Sequence, residues 1–240
     1  MIRDTLGGGA HEREAWRMCF SVTADLVAGA ALTPVAVLSL REVRCWRDVP
    51  YAALPAVFAA HQLIEALVWA WQDGSVSPSV GHLAALVYVF IAWPLLPALV
   101  PVSVMLLEPP KTRRRVAPFV AVGLVVAAHL SYVVLARPVV VVVHPHALEY
   151  QTGVVNPWSW ATLYVAAIVG ALVSSTHRLV VVFGALNLVG LTVVAMVYFD
   201  SFTSLWCAYA AFASMAVWLH MRSRRRSPLV STPGRAYTSS

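Results

Sequence analysis

A histidine and a glutamate lie four residues apart in the middle of a long apolar stretch, residues 50–72 (PYAALPAVFAAHQLIEALVWAWQ). If this stretch is a helix, His61 and Glu65 share one face, one turn apart. About 20 apolar residues cross a hydrocarbon core of about 30 Å, so the stretch is long enough to span a bilayer. Ionisable groups at that depth are costly and usually face a bundle interior or a water-filled cavity. We therefore predict that this pair forms the working site. The alternative is that Glu65 only ties helices together through hydrogen bonds.

The chemistry that suits such a pair is acid catalysis. A carboxylic acid in an apolar, partly dry pocket can stay protonated and act as a proton donor. A neighbouring histidine or second carboxyl group can orient it and restore its proton. Aromatic rings nearby stabilise a developing positive charge through their faces. The protonation-initiated cyclisation of a lipophilic isoprenoid would need these groups, with Glu65 as the general acid and His61 or Asp25 as its proton partner.

Other functions remain open for the same residues. His61, Glu65, His129 and Cys207 are all admissible zinc ligands, and a haem could be held between His61 and His129. Buried ionisable groups also carry protons or ions across membranes. We predict no resident metal or cofactor, and we keep two alternatives: a non-catalytic metal- or haem-binding membrane protein, and a transport or structural membrane protein.

Composition places the chain in a bilayer. It is 60% hydrophobic and only 12% charged, with a mean hydropathy of +0.73, whereas an ordinary soluble domain is about 25% charged. The net charge of +6 is not a nucleic-acid signature, because the arginines sit in short clusters between apolar runs. The three cysteines form no CxxC motif and no even-numbered disulfide framework. The expected partners are the lipid bilayer and a lipophilic small molecule, and no nucleic acid.

The pattern predicts an all-α integral membrane protein with seven apolar spans. They lie at residues 19–40, 50–72, 82–106, 116–136, 155–174, 179–199 and 201–220. The third contains Pro94, Pro97 and Pro101 and is predicted to be kinked. Residues 1–17 form a polar N-terminal extension and not a signal peptide. Residues 18–226 form the transmembrane domain, and residues 227–240 a disordered cytoplasmic tail.

Charge placement predicts the orientation. Basic clusters follow the first, third and seventh spans and Arg178 follows the fifth, while the alternate loops contain only Arg137. The excess of basic residues on cytoplasmic loops then puts the N-terminus outside and the C-terminus in the cytoplasm, with the protein in the plasma membrane. Residues 137–156 include five consecutive valines, too short a run to span and too β-branched for a firm helix. We interpret them as an outer loop that folds back onto the bundle.

This topology predicts a polar layer in the outer half of the bundle. At 1.5 Å per residue, Glu65 lies about 10 Å below the outer end of its span. Side chains on other spans reach a similar depth, and most should point inward because lipid exposure costs more. The predicted catalytic residues are Glu65, His61, Asp25 and Asp200. The predicted substrate-binding residues are Trp69, Tyr88, Trp93, His129, Trp160, Tyr164 and Cys207.

Several of these residues also have plainer interpretations. Cys207 lies among small residues, where a free cysteine commonly serves as a small packing group. His129 could simply bond a carbonyl group on the next helix. Trp69 and Trp160 lie near the outer boundary, where belts of aromatic residues are ordinary.

Four stretches carry a resemblance to a known family: MCFSVTADLVAGA, HQLIEALVW, NPWSWATLY and SLWCAYAA. They resemble an uncharacterised bacterial family of multi-pass membrane proteins that open with MCFS. The resemblance covers most of residues 18–220 and implies no activity.

In size and topology the chain is also similar, more distantly, to the seven-span membrane-bound terpene cyclases. That resemblance implies a catalytic glutamate on the second span, the position of Glu65, and an aspartate near the last span. Asp200 is the nearest candidate, but it lies at the rim of the seventh span, and Asp25 is the substitute. Two other classes of membrane protein need residues that the seventh span lacks. A rhodopsin-like protein needs a lysine there for a retinal Schiff base, and a ceramidase-like zinc hydrolase needs a late HxxxH pair.

Overall fold

The computed structural model describes the backbone of residues 22–144, 147–197 and 202–226. Side chains are described for the same residues, apart from residues 144, 147, 191–197, 202–212 and 226. The predicted N-terminal extension (residues 1–17) and C-terminal tail (residues 227–240) lie outside this part of the chain.

The described residues are mostly helical, and seven helical segments follow one another along the chain. Two of the segments are composite. In one, a 3₁₀ turn (Trp46–Asp48) and a short helix (Val49–Ala52) lead into the helix Leu54–Gln72. In the other, a π-helical turn (Ile91–Leu95) joins the helix Pro78–Phe90 to the helix Leu96–Leu107. The helices are α1 (Val22–Arg41), α2 (Val49–Ala52), α3 (Leu54–Gln72), α4 (Pro78–Phe90), α5 (Leu96–Leu107), α6 (Arg113–Ala136), α7 (Pro157–Val173), α8 (Arg178–Val197) and α9 (Phe202–Arg226).

Four of the described segments are long and apolar enough to cross a membrane, which marks a membrane protein. They are Val22–Arg41, Trp46–Gln72, Pro78–Leu107 and Arg113–Ala136. Two further helical stretches, Pro157–Val173 and Arg178–Gly190, are apolar but shorter. The predicted spans and the observed helices coincide to within a few residues, except that α9 runs on to Arg226.

The third apolar segment is interrupted where its prolines predicted a break. Its π-helical turn contains Pro94, which has no N–H to donate to the preceding turn. The Tyr164 hydroxyl, on α7, donates a hydrogen bond of 2.7 Å to the Ala92 carbonyl oxygen within the turn. A neighbouring helix therefore supplies a donor to the interrupted segment.

The loop between α6 and α7 departs from the all-α prediction, because it contains a β-hairpin. Strands β1 (Val140–His144) and β2 (Ala147–Gln151) pair antiparallel, with Val141 opposite Tyr150. The β-branched valines suit a pleated, half-buried surface. The hairpin does fold back onto the bundle, since Leu148 is buried against Val68 and Trp69 of α3 and against α4.

The bundle has two ends with different chemistry. The basic end carries the C-termini of α1, α5, α7 and α9; there Arg225, on α9, donates a hydrogen bond to the Arg41 carbonyl oxygen at the end of α1. The hairpin end carries the C-terminus of α3 and the start of α4, with the hairpin packed over them. The main apolar core lies toward the basic end and includes Tyr51, Val104 and Val217.

Close packing of α6 against α5 depends on Gly123. A Cβ atom at this position would overlap the backbone carbonyl oxygen of Pro97, which cannot move aside as a side chain can. We expect Gly123→Ala to destabilise the protein by about 1–3 kcal/mol, the usual cost of overpacking. Thermal unfolding of detergent-purified protein measures this. The exposed Ala121→Val on the same helix is the matched control, and equal melting temperatures for both variants would contradict the prediction.

Candidate functional site

Packing of α1 along α3 brings two carboxyl groups together. Asp25 on α1 and Glu65 on α3 have exposed fractions of 3% and 1%, and they interact electrostatically. Gly29, one turn after Asp25, makes the approach possible, since a Cβ atom there would lie 2.6 Å from a carbon of the Leu63 side chain. Burial and a neighbouring carboxyl group both disfavour the charged form of an acid.

Tyr88, on α4, is the centre of the site. Its ring stacks against His61 with centroids 3.9 Å apart, and against Tyr150 of β2 with centroids 4.6 Å apart. Its hydroxyl approaches the Glu65 carboxyl closely enough for a hydrogen bond. His61 and Glu65 therefore meet the same side chain, as expected for two residues one turn apart on a helix. We name Asp25, His61, Glu65, Tyr88 and Tyr150 the Tyr88 cluster.

The hairpin contributes Tyr150, which the sequence did not single out as a site residue. Burial raises the pKa of its hydroxyl, and the neighbouring Glu65 and Asp25 carboxyl groups raise it further. The hydroxyl therefore remains protonated and is available as a hydrogen-bond donor. The sequence signal was weak: a tyrosine in a loop is ordinary, and only the register of the hairpin turns this one toward α4.

Three buried polar atoms in the Tyr88 cluster have no hydrogen-bond partner among the described residues. They are Glu65 Oε2, His61 Nε2 and the Tyr150 hydroxyl oxygen. Buried polar atoms are nearly always paired, so each exception calls for an explanation such as a catalytic role, an ordered water or a bound molecule. An acid, an imidazole and a phenol left unpaired around one aromatic ring are suited to exchange protons with something that enters between them.

A second aromatic stack lies between α6 and α7. The His129 ring lies parallel to Trp160, with centroids 3.8 Å apart and an interplanar angle of 9°. His129 Nε2 is buried and has no hydrogen-bond partner within the described part of the molecule. No contact among the described residues joins this stack to the Tyr88 cluster. The residues of the predicted polar layer therefore lie in two separate groups, one around Tyr88 and one at His129 and Trp160.

The other predicted binding residues are distributed around the bundle. Trp69 is buried in the contact between α3, α4 and the hairpin, and Trp93 lies half-buried in the π-helical turn. Tyr164 is tied to that turn by its bond to Ala92.

Cys207 lies on α9, where only the backbone is described, and Asp200 lies outside the described residues. Within residues 22–144, 147–197 and 202–226, no group of three or more His, Cys, Asp or Glu side chains is arranged to hold a metal ion.

A second polar site, at the basic end, was not predicted. The Glu108 carboxylate, at the end of α5, is 1% exposed. It accepts hydrogen bonds from the Ser175 hydroxyl at 2.7 Å, from the Thr176 backbone N–H at 2.8 Å and hydroxyl at 2.7 Å, and from the Thr112 hydroxyl at 2.8 Å. This carboxylate joins the α5–α6 connection to the α7–α8 connection. The only sign of this site in the sequence was an acidic residue directly after an apolar span. The sequence did not show its partners Ser175 and Thr176, because they are distant along the chain.

Beside it, His220 on α9 contacts the rings of Tyr51 and His177 edge-on, with centroids 5.5 Å and 5.0 Å apart. Arg224, one turn further on, forms an ion pair of 3.4 Å with the buried Asp48. These contacts connect α9 to α2 and to the start of α8. The basic end is therefore held by polar contacts.

Comparison with known proteins gives one match. Residues 18–232 match a family described as a family of unknown function, DUF6629, and the match begins at Met18, where MCFS begins. No curated protein matches the chain, and no solved structure does. The similarity to terpene cyclases thus has no support from a named relative. The family match covers the described helices almost completely, and the chain therefore belongs to the DUF6629 family.

Proposed function

We propose that this protein is a membrane-embedded enzyme that starts the cyclisation of a lipophilic isoprenoid by protonating it. Glu65 is the proton donor, and Asp25 or His61 restores its proton. The observation that carries the proposal is the Tyr88 cluster, in which a buried carboxyl group, an imidazole and a phenol surround one aromatic ring and each keep an unpaired polar atom.

The roles follow from the geometry. Burial beside Asp25 favours a Glu65 that is protonated and ready to donate. Transfer of that proton to a carbon–carbon double bond forms a new C–H bond and a carbocation, which the next double bond attacks to close a ring. Tyr88 is stacked between His61 and Tyr150, so the positive charge is stabilised by the face of the Tyr150 ring that does not contact Tyr88. The cyclic cation then loses a proton to a second base, for which the predicted Asp200 is a candidate, so the product is an isomer of the substrate. Asp25 or His61 returns a proton to Glu65 before the next turnover.

We also propose that the chain crosses the plasma membrane seven times, with the N-terminus outside and the C-terminus in the cytoplasm. Four segments have the length and apolarity of spans, two more are apolar but shorter, and basic clusters alternate from loop to loop. This orientation places the hairpin end outside and the Tyr88 cluster in the outer half of the bilayer.

Isotope incorporation tests the proposed reaction. Protein in lipid nanodiscs is incubated in D₂O with a panel of prenyl alcohols, prenyl phosphates and prenylated quinones, and products are analysed by mass spectrometry. Because Glu65 exchanges its proton with water before each turnover, we expect a cyclic isomer that carries a carbon-bound deuterium. Cyclic products without deuterium, or a panel that gives no cyclic isomer, would contradict the proposal.

A further inference from the structure

An apolar cleft of about 640 Å³ opens at the hairpin end, beside the Tyr88 cluster. Its walls come from α3, α4, the last turn of α6 and strand β1. They include Trp71, Leu86, Val134, Val139 and Val141. Clefts of about 300–1,000 Å³ hold small molecules, so this one has room for a single hydrocarbon chain.

The cleft carries a cation at its mouth. Arg137 lines it together with His82, which is exposed and packs against the Trp71 ring at 4.5 Å. Arg137 is the only lysine or arginine in residues 48–110 and 116–177, and residues 22–40, 179–197 and 202–221 contain none. Its guanidinium donates a hydrogen bond to the Gly153 carbonyl oxygen, and no carboxylate of the described residues forms an ion pair with it. Within the described part of the chain, no carboxylate therefore compensates this charge beside the apolar cavity.

The inner wall of the cleft leads to the proposed acid through direct contacts. Val141, which lines the cleft, is the cross-strand partner of Tyr150, and directly opposed residues project from the same face of a hairpin. Tyr150 stacks on Tyr88, and the Tyr88 hydroxyl reaches Glu65. Three side chains therefore separate the cleft from the buried carboxyl group.

From this arrangement we propose that the cleft binds a single-chain isoprenoid with an anionic head group. The head lies against Arg137 and His82, and the chain runs along the valine-lined wall toward the Tyr150–Tyr88 stack. This inference rests on the proposed function and names its substrate class, a single-chain isoprenoid whose end far from the head group points toward the Tyr150–Tyr88 stack that covers Glu65.

Equilibrium binding of radiolabelled farnesyl phosphate tests this inference without turnover. The full-length protein is placed in nanodiscs of phosphatidylcholine, which has no net charge. Saturable binding is expected, and Arg137→Gln should weaken it about tenfold, as loss of a charge-assisted contact does. Arg137→Lys keeps the charge and should retain most of the affinity. Arg114→Gln, at the exposed start of α6 on the basic end, is the matched control and should bind as the wild type does.

Two further arms protect the test from a folding artefact and from a different occupant. Ala136→Trp leaves Arg137 in place but fills the cleft, so it should reduce the binding of farnesyl phosphate and of uncharged farnesol alike. Farnesol binding should be insensitive to Arg137→Gln. Unchanged binding of farnesyl phosphate to the Arg137→Gln variant would overturn the inference. Displacement of farnesyl phosphate from the wild type by phosphatidylglycerol at equal concentration would also overturn it, in favour of a bilayer phospholipid as the ligand.

Glu65→Gln separates this inference from the proposed function. The variant should bind farnesyl phosphate with wild-type affinity, because Glu65 lies beyond the Tyr88 ring and not in the cleft wall. Binding that depends on Arg137, without any deuterated cyclic product, would contradict the proposed reaction and support the proposed binding site. Turnover without Arg137-dependent binding would support the reaction and contradict the binding site.

Discussion

Replacing Glu65 by glutamine is expected to lower the rate of cyclisation by about 10²–10⁴-fold, the range that a positioned general acid contributes. Glutamine has nearly the same shape and can still accept a hydrogen bond from the Tyr88 hydroxyl. It cannot release a proton to a double bond. The loss should therefore fall on the chemical step, with substrate affinity unchanged.

The control for this variant is Asp73→Asn, which makes the same chemical change at the exposed C-terminal end of the same helix. Its turnover should match that of the wild type. Gel filtration and circular dichroism of both variants check that the fold survives, which is expected because glutamine has nearly the shape of glutamate. Wild-type turnover in Glu65→Gln would exclude this residue as the acid.

The sequence alone predicted the part of this site that lies on one helix. His61 and Glu65 are one turn apart, and that spacing guarantees a shared face wherever the helix packs. Depth counting placed Tyr88 in the same layer, and the structure brings it into contact with both residues. Asp25 was predicted at the same depth, and packing of α1 on α3 places it beside Glu65.

Rotation of the helices could not be predicted, and it decides which residues of a layer meet. His129 lies at the predicted depth of Glu65, yet its ring faces Trp160 between α6 and α7. Depth follows from counting residues along one helix, whereas the direction of a side chain depends on which neighbours that helix packs against. Most side chains on both the lipid-facing and the core-facing sides of these helices are apolar, so the hydrophobic pattern gives little information about rotation.

The contribution of the hairpin was hidden for a related reason. Five valines in a row show no alternation, so they do not reveal which face is buried. The pairing of Val141 with Tyr150 fixes that face, and this register cannot be read from β1 alone. The hairpin supplies Tyr150 to the Tyr88 cluster and Val141 to the cleft, and it therefore lies between the proposed binding cleft and the proposed acid.

The basic end explains how a bundle of weakly amphipathic helices is held in one arrangement. Apolar helices in a bilayer gain little from burying apolar surface against each other, so hydrogen bonds and close packing must select the arrangement. The Glu108 carboxylate meets this requirement, since its partners lie 67 and 68 residues away in Ser175 and Thr176. It fixes α5 relative to α7 and α8, and through α5 it fixes the π-helical turn that follows Tyr88.

Removal of that carboxylate by Glu108→Ala is expected to lower the stability of the folded protein by about 3 kcal/mol. The Ser175 hydroxyl and the Thr176 N–H would be left without their acceptor, and hydrogen bonds to a charged group are worth about 1.5–3 kcal/mol each, without being additive. The control is Glu42→Ala at the same end. Glu42 forms only an ion pair of 3.3 Å with the exposed Arg225, and such pairs contribute about 0–1 kcal/mol. Thermal unfolding followed by tryptophan fluorescence in detergent measures both variants.

The pH dependence of Glu108→Gln then identifies the charge as the cause. Burial of Glu108 raises the pKa of its carboxyl group, but the hydrogen bonds from Ser175, Thr176 and Thr112 outweigh burial and hold the pKa below its ordinary value. A group whose pKa is lower in the folded state stabilises the fold above its unfolded pKa, and this contribution is lost as pH falls through the folded pKa. The wild type should therefore melt at a higher temperature than Glu108→Gln near neutral pH, and the difference should shrink in acid. A difference that stays constant from neutral to strongly acidic pH would mean that the shape of the side chain, and not its charge, holds the two connections together.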